Sequence, residues 1–135
     1  MTNEEQPRPT VMVVDDDPAV CELLVEIFDE AGFATTRLGL GQPALIALMQ
    51  AHFDVLIIDQ WLPDMNGLQI CEAARHQYGP TAVVLLVTAD PRMERRVTAF
   101  NLGVDDVVGK PFHVDELLLL ARVEANLRAR QRTAA

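Results

Sequence analysis

Residues 54–67 read DVLIIDQWLPDMNG. Val55, Leu56, Ile57 and Ile58 form an unbroken apolar run, which suits a strand buried on both faces of a parallel sheet. The run stops at Asp59, and Pro63 and Gly67 in the stretch after it are residues that punctuate regular structure.

Two further runs of the same kind flank it, VMVV at 11–14 and AVVLLV at 82–87, and weaker candidates at 33–38 and 104–108 bring the count to five. Between them the apolar spacing turns helical. Val20, Leu24, Ile27, Phe28 and Ala31 share one stripe, with Glu22, Glu26, Asp29 and Glu30 off it. Asp17-Pro18 supplies an N-cap followed by proline at the first helical position, and Gly32 stands where a left-handed C-terminal residue is wanted. Asp90-Pro91 repeats that start signal, and Pro43 predicts the start of the second helix. Strict alternation of strand and helix predicts an α/β fold, a doubly wound parallel sheet with helices on both faces.

The chain has 135 residues, half of them hydrophobic, which suits a single domain. Residues 1–9 read as a flexible leader, 10–130 as the folded domain, and 131–135 as the start of a linker or disordered tail. No apolar run nears the roughly 20 residues of a membrane span, and the acidic N-terminus lacks the basic start of a secretory signal, so a cytoplasmic location is expected. Cys21 and Cys71 fall in amphipathic stretches and read as small buried hydrophobes, with neither a disulfide framework nor a zinc site suggested. A net charge of −9 argues against direct nucleic-acid binding by this domain.

The chemistry lies after the strands. The first ends in Asp15-Asp16-Asp17, the third in Asp59, the fourth in Thr88-Ala89, and the fifth leads into Lys110-Pro111, whose lysine is the only one in the sequence. Doubly wound sheets bind ligands outside the carboxyl ends of their strands, where strand order reverses. Carboxylates beside one ammonium and one hydroxyl suit a hard cation plus an oxyanion, and Mg²⁺ is usually held by one or two carboxylates together with phosphate oxygens. Crowded carboxylates repel, so at least one should hold its proton more tightly than usual. One of them could attack phosphorus and form an acyl phosphate, with Mg²⁺, Lys110 and Thr88 meeting the charge on the phosphoryl oxygens.

In order and spacing, VMVVDDDPAV, DVLIIDQWLPDMNG, VVLLVTAD and GVDDVVGKPF resemble the receiver domain of two-component response regulators, over about 10–130. The resemblance implies a flavodoxin-like five-stranded sheet of order 2-1-3-4-5. It implies Asp59 as phosphoacceptor, Asp16 as the principal Mg²⁺ carboxylate with Asp15 assisting, and the Trp61 carbonyl as a further metal ligand. Thr88, the Ala89 amide and Lys110 become the phosphoryl-binding groups, and Pro111 follows a cis peptide. Implied partners are a sensor histidine kinase or phosphotransfer protein and a C-terminal output domain. The protein is then a phosphorylated signalling domain rather than an enzyme, one that assists its own phosphorylation and dephosphorylation.

Two other classes of protein share parts of this pattern. An aspartyl-nucleophile phosphohydrolase normally wants a second acid two residues after the nucleophile, where Trp61 stands; an unphosphorylated interaction module would be expected to have lost Asp59, the acid pair or Lys110. The chain departs from the family at Val107, the switch position that usually carries Tyr or Phe and moves with Thr88. A β-branched residue has little rotamer freedom, so the aromatic step of that switch is in doubt. Leu117 to Leu120 wrap around the last helix and suggest a homodimer through the face of the fourth helix, fifth strand and fifth helix. Trp61 and Asp90, each two positions beyond a site residue, are expected at the rim.

Overall fold

The computed structural model describes residues 8–89, 92, 98–110 and 123–129. The apolar runs are strands: β1 (Thr10–Val14), β2 (Ala34–Leu38), β3 (Val55–Asp59), β4 (Val83–Thr88) and β5 (Asp106–Gly109). Their order is β2-β1-β3-β4-β5 and every pairing is parallel, as the resemblance implied. Strand order reverses between β1 and β3, which places the ends carrying Asp15 and Asp59 side by side.

Period-two alternation sorts the strand residues into two cores. Val11, Val13, Val55, Ile57, Val83, Leu85 and Val87 meet Cys21, Leu24 and Phe28 of α1 (Pro18–Glu30), together with Val123. Met12, Val14, Leu56, Ile58, Val84, Leu86 and Val107 meet Ala44 and Leu48 of α2 (Gly41–Gln50), Ile70, Cys71 and Ala74 of α3 (Gly67–Tyr78), and Ala99. Helices therefore cover both faces, and the central strands are apolar on both sides for that reason. Both cysteines are free and buried. No described helix is long and apolar enough to cross a membrane.

Helix ends follow local chemistry in two cases and distant chemistry in a third. Asp17 caps α1 by accepting from the Ala19 amide at 3.0 Å, and Asn66 caps α3 by accepting from Leu68 at 2.9 Å. Helix α2 begins two residues before Pro43, because its first amides are satisfied from elsewhere: Asp64 accepts from Gly41 at 2.8 Å and from Gln42 at 2.9 Å. Asp90, Pro91, Pro111 and Leu117 to Leu120 lie outside the described residues.

Arg75, on α3, ties the far end of the sheet together. Its Nε and Nη2 donate to the Gly103 carbonyl at 2.9 and 2.7 Å, and its Nη1 to the carbonyls of Gly79 and Ala82 at 2.8 and 2.9 Å. Nη2 also donates to Asp105 Oδ2 at 2.7 Å, and that oxygen accepts from the Val84 amide at 2.7 Å. The planar fork thus uses every donor it has to join α3 to the lead-ins of β4 and β5. Arg75→Leu is expected to cost about 3 kcal/mol, the low end for breaking a buried ion pair because both partners keep some solvent contact. Arg75→Lys should recover only part of it in urea denaturation, and a loss below about 0.5 kcal/mol in the leucine variant would contradict this reading.

Candidate functional site

At the carboxyl edge of the sheet, Lys110 Nζ lies 2.7 Å from Asp15 Oδ2 and 3.2 Å from Asp59 Oδ1. Its backbone amide donates to the Thr88 carbonyl at 2.9 Å, which continues the β4–β5 pairing to the residue that carries the ammonium. Asp15 is held from a second side, its Oδ1 accepting from the Asp17 amide at 2.9 Å. Asp15, Asp16 and Asp59 each offer an oxygen, all within 4.8 Å of one another; Asp15 and Asp59 are buried and Asp16 is exposed at the mouth.

Three carboxylates face one ammonium, and the imbalance shifts protons. The Asp59 carboxyl is pushed up to about 6, by burial first and the Asp15 charge second, against the downward pull of Lys110. Burial pulls the Lys110 ammonium down, but the hydrogen bond and charge of Asp15 and the charge of Asp59 outweigh it and raise its pKa. An oxygen-only donor set that is short of positive charge fits a hard divalent cation such as Mg²⁺.

The turn after Asp59 is tightly built. Gly67 donates to the Gln60 carbonyl at 2.7 Å and Leu62 to the Met65 carbonyl at 3.3 Å, with Trp61 opposite Asn66 in an antiparallel bridge. A Cβ at Gly67 would run into the Asp59 carbonyl oxygen, so only glycine lets α3 start this close to the strand end. Asp64 anchors the same turn to α2, and the two amides it accepts hold its carboxyl below the usual range.

Of the residues singled out from sequence, Asp15, Asp16, Asp59 and Lys110 meet directly. Thr88 is fully buried at the end of β4, Ala89 is exposed just beyond it, and Trp61 stands half-exposed at the rim. Val107 is buried opposite Leu86, two residues back from Thr88 along the sheet. Sequence reasoning passed over Gln60, Asp64 and Arg75. A glutamine directly after the strand-end Asp59 was a signal for the first; the other two act across the fold and left none.

The response regulator receiver domain family matches residues 11–122. The DNA-binding response regulator MtrA of Mycolicibacterium smegmatis is 39% identical over 121 residues, covering 90% of this chain and 51% of that protein. The transcriptional regulatory protein GltR of Pseudomonas aeruginosa is 36% identical over 125 residues, covering 92% and 51%. The beryllofluoride-activated DrrB receiver domain superposes with a TM-score of 0.80 at 30% identity, covering 90% of this chain and 99% of that one. A CheY-like receiver domain of Methanospirillum hungatei superposes at 0.87 with 24% identity, over 94% and 99%. Fold and strand-end cluster define a signalling domain of bacterial two-component systems. This chain belongs to the response regulator receiver domain family, and it spans about half the length of the curated relatives it matches.

The Asp59 shift has a stability consequence with a definite sign. An acid whose folded pKa lies above its ordinary value costs the fold nothing below about pH 4; the cost grows from there to about 6 and is complete above it. Asp59→Asn is therefore expected to melt above the parent in metal-free buffer near neutral pH, with the gain fading as pH falls to about 4. A gain of the same size at both ends of that range would mean that the charge of Asp59 is not its source.

Proposed function

We propose that the domain takes a phosphoryl group from a sensor histidine kinase, a phosphotransfer protein or a small phosphodonor onto Asp59, in a Mg²⁺-dependent reaction. The observation that carries this is the Asp59 carboxylate at 3.2 Å from Lys110 inside an all-oxygen cluster with Asp15 and Asp16. The DrrB domain, described as activated by beryllofluoride, supports it by analogy.

Asp59 oxygen attacks phosphorus, the new P–O bond forms, and the bond to the donor's nitrogen or oxygen breaks with its electron pair leaving on the donor. Asp16, Asp59 and the Trp61 carbonyl, with Asp15 assisting, would hold Mg²⁺, which would supply positive charge against the phosphoryl oxygens. Lys110 offers its ammonium to a phosphoryl oxygen, Thr88 its hydroxyl and Ala89 its amide N–H. Thr88 and Val107 stand at the switch position. The signal leaves through the loop after Thr88 rather than through a moving ring at Val107.

The proposed setting is cytoplasmic, with residues 1–9 as leader, 10–130 as the receiver, 131–135 as the start of a linker or disordered tail, and a C-terminal output domain as partner. Relatives twice this length that are described as DNA-binding or transcriptional regulators support such an output. Pairing through the face that includes β5 belongs to the same reading.

Acetyl phosphate with Mg²⁺ is expected to label the parent domain, and chelation or Asp59→Asn to abolish the label. Lys110→Ala should still bind Mg²⁺ but react at least about a hundredfold more slowly, the usual loss for a charge-stabilising donor. Label retained in Asp59→Asn would move the acceptor elsewhere. Trp61→Ala should shorten the phosphorylated lifetime by opening the rim to attacking water; an unchanged half-life in a chase experiment would remove the shielding role.

A further inference from the structure

The chain after Asp59 doubles back on itself before α3 begins. Gly67 donates to Gln60 at its base and Leu62 to Met65 at its tip, and Trp61 stands opposite Asn66 between the two bonds. Residues 60–67 thus make a short ribbon. A ribbon of that size has no core of its own and takes its orientation from what holds each end.

The base is seated on β3 and α3, while the tip reaches across to α2. There Asp64 Oδ1 accepts from the Gly41 amide at 2.8 Å and Oδ2 from the Gln42 amide at 2.9 Å. Met65 lies against the same turn, so closely that a Cβ on Gly41 would overlap its Cγ and Sδ. Leu40 stands at the N-cap of α2 and has no side-chain acceptor to offer, so the helix takes its cap from the ribbon. A local cap would satisfy the helix alone; this one also fixes the ribbon.

The platform that Asp64 grips is itself tied to the acid pair. Just before it, the Leu38 carbonyl accepts from the Asp15 amide at 3.0 Å. Asp64 therefore sets the ribbon relative to Asp15 as well as to α2, and Trp61 lies on the ribbon between its two fixed ends.

We propose that Asp64 is a positioning residue for the divalent-cation site. By pinning the ribbon tip to α2 it fixes where the Trp61 carbonyl stands, and through the same two hydrogen bonds cation binding tightens the start of α2. The inference rests on the Trp61 carbonyl being a metal ligand. Coupling of this kind is reciprocal: the factor that the anchor adds to cation affinity is the factor that the cation adds to the anchor.

The test titrates Mg²⁺ into the parent chain and three variants, Asp64→Ala, Asp64→Asn and Tyr78→Phe, following Trp61 fluorescence and binding heat. Tyr78→Phe is the control for a loosened α2, because the Tyr78 hydroxyl donates to the Leu48 and Ala51 carbonyls at the far end of that helix, at 2.8 and 2.7 Å. It should melt lower than the parent yet bind Mg²⁺ equally well. Asp64→Ala should bind Mg²⁺ about tenfold more weakly, the low end for a group that orients a metal ligand without touching the metal. Asp64→Asn, which keeps one acceptor of the two, should fall between. In the parent, saturating Mg²⁺ should slow hydrogen exchange of the Gly41 and Gln42 amides about tenfold, and in Asp64→Ala not at all. Parent-like Mg²⁺ affinity in Asp64→Ala, or no slowing of those amides in the parent, overturns the proposal. So do equal losses in Asp64→Ala and Asp64→Asn, which would trace the effect to the missing charge, and an equal loss in Tyr78→Phe, which would trace it to α2 alone. A parent that binds no Mg²⁺ overturns the cation-site reading itself.

Discussion

The ammonium of Lys110 between Asp15 and Asp59 is the contact on which the working end of this domain depends. Carboxylates at the ends of adjacent strands repel, and parallel pairing gives them no choice of distance. A cation directly after β5, a strand two places away from β3, reaches back over Thr88 to hold two of them at 2.7 and 3.2 Å. The third, Asp16, is left to solvent, and burial first, then the Asp15 charge, raises the pKa of Asp59. The shortage of positive charge is the property through which the site can select a divalent cation and an oxyanion together.

Everything around that contact limits movement. Gly67 brings α3 against the Asp59 carbonyl, Asn66 caps that helix, and Asp64 fastens the same turn to α2. At the opposite end of the strands, Arg75 and Asp105 bind the lead-ins of β4 and β5 to α3. At the end of β4 the buried row holds Thr88, Gln60 with an open acceptor, and beneath them Val107.

Much of this was legible in the chain. Double-sided burial makes strands into continuous apolar runs, so β1, β3 and β4 stood out, and their first polar residues marked the site. Local caps such as Asp17 were equally plain, because cap and helix are neighbours in sequence. What was hidden acts over distance: the start of α2 depends on Asp64 more than twenty residues later, and nothing near Arg75 announces the carbonyls of Gly79, Ala82 and Gly103 that it gathers. Gln60 was visible as an oddity, but burial and the missing partner exist only once the strands are paired.

Calorimetric titration of Mg²⁺, in buffers of different ionisation enthalpy, measures the charge shortage most directly. Near pH 6 the Asp59 carboxyl is half protonated, so Mg²⁺ binding is expected to expel about half a proton, and close to none near pH 8. Asp59→Asn should remove that proton release. Mg²⁺ binding that expels no proton near pH 6, or no binding at all, would contradict a site built from crowded carboxylates waiting for a cation.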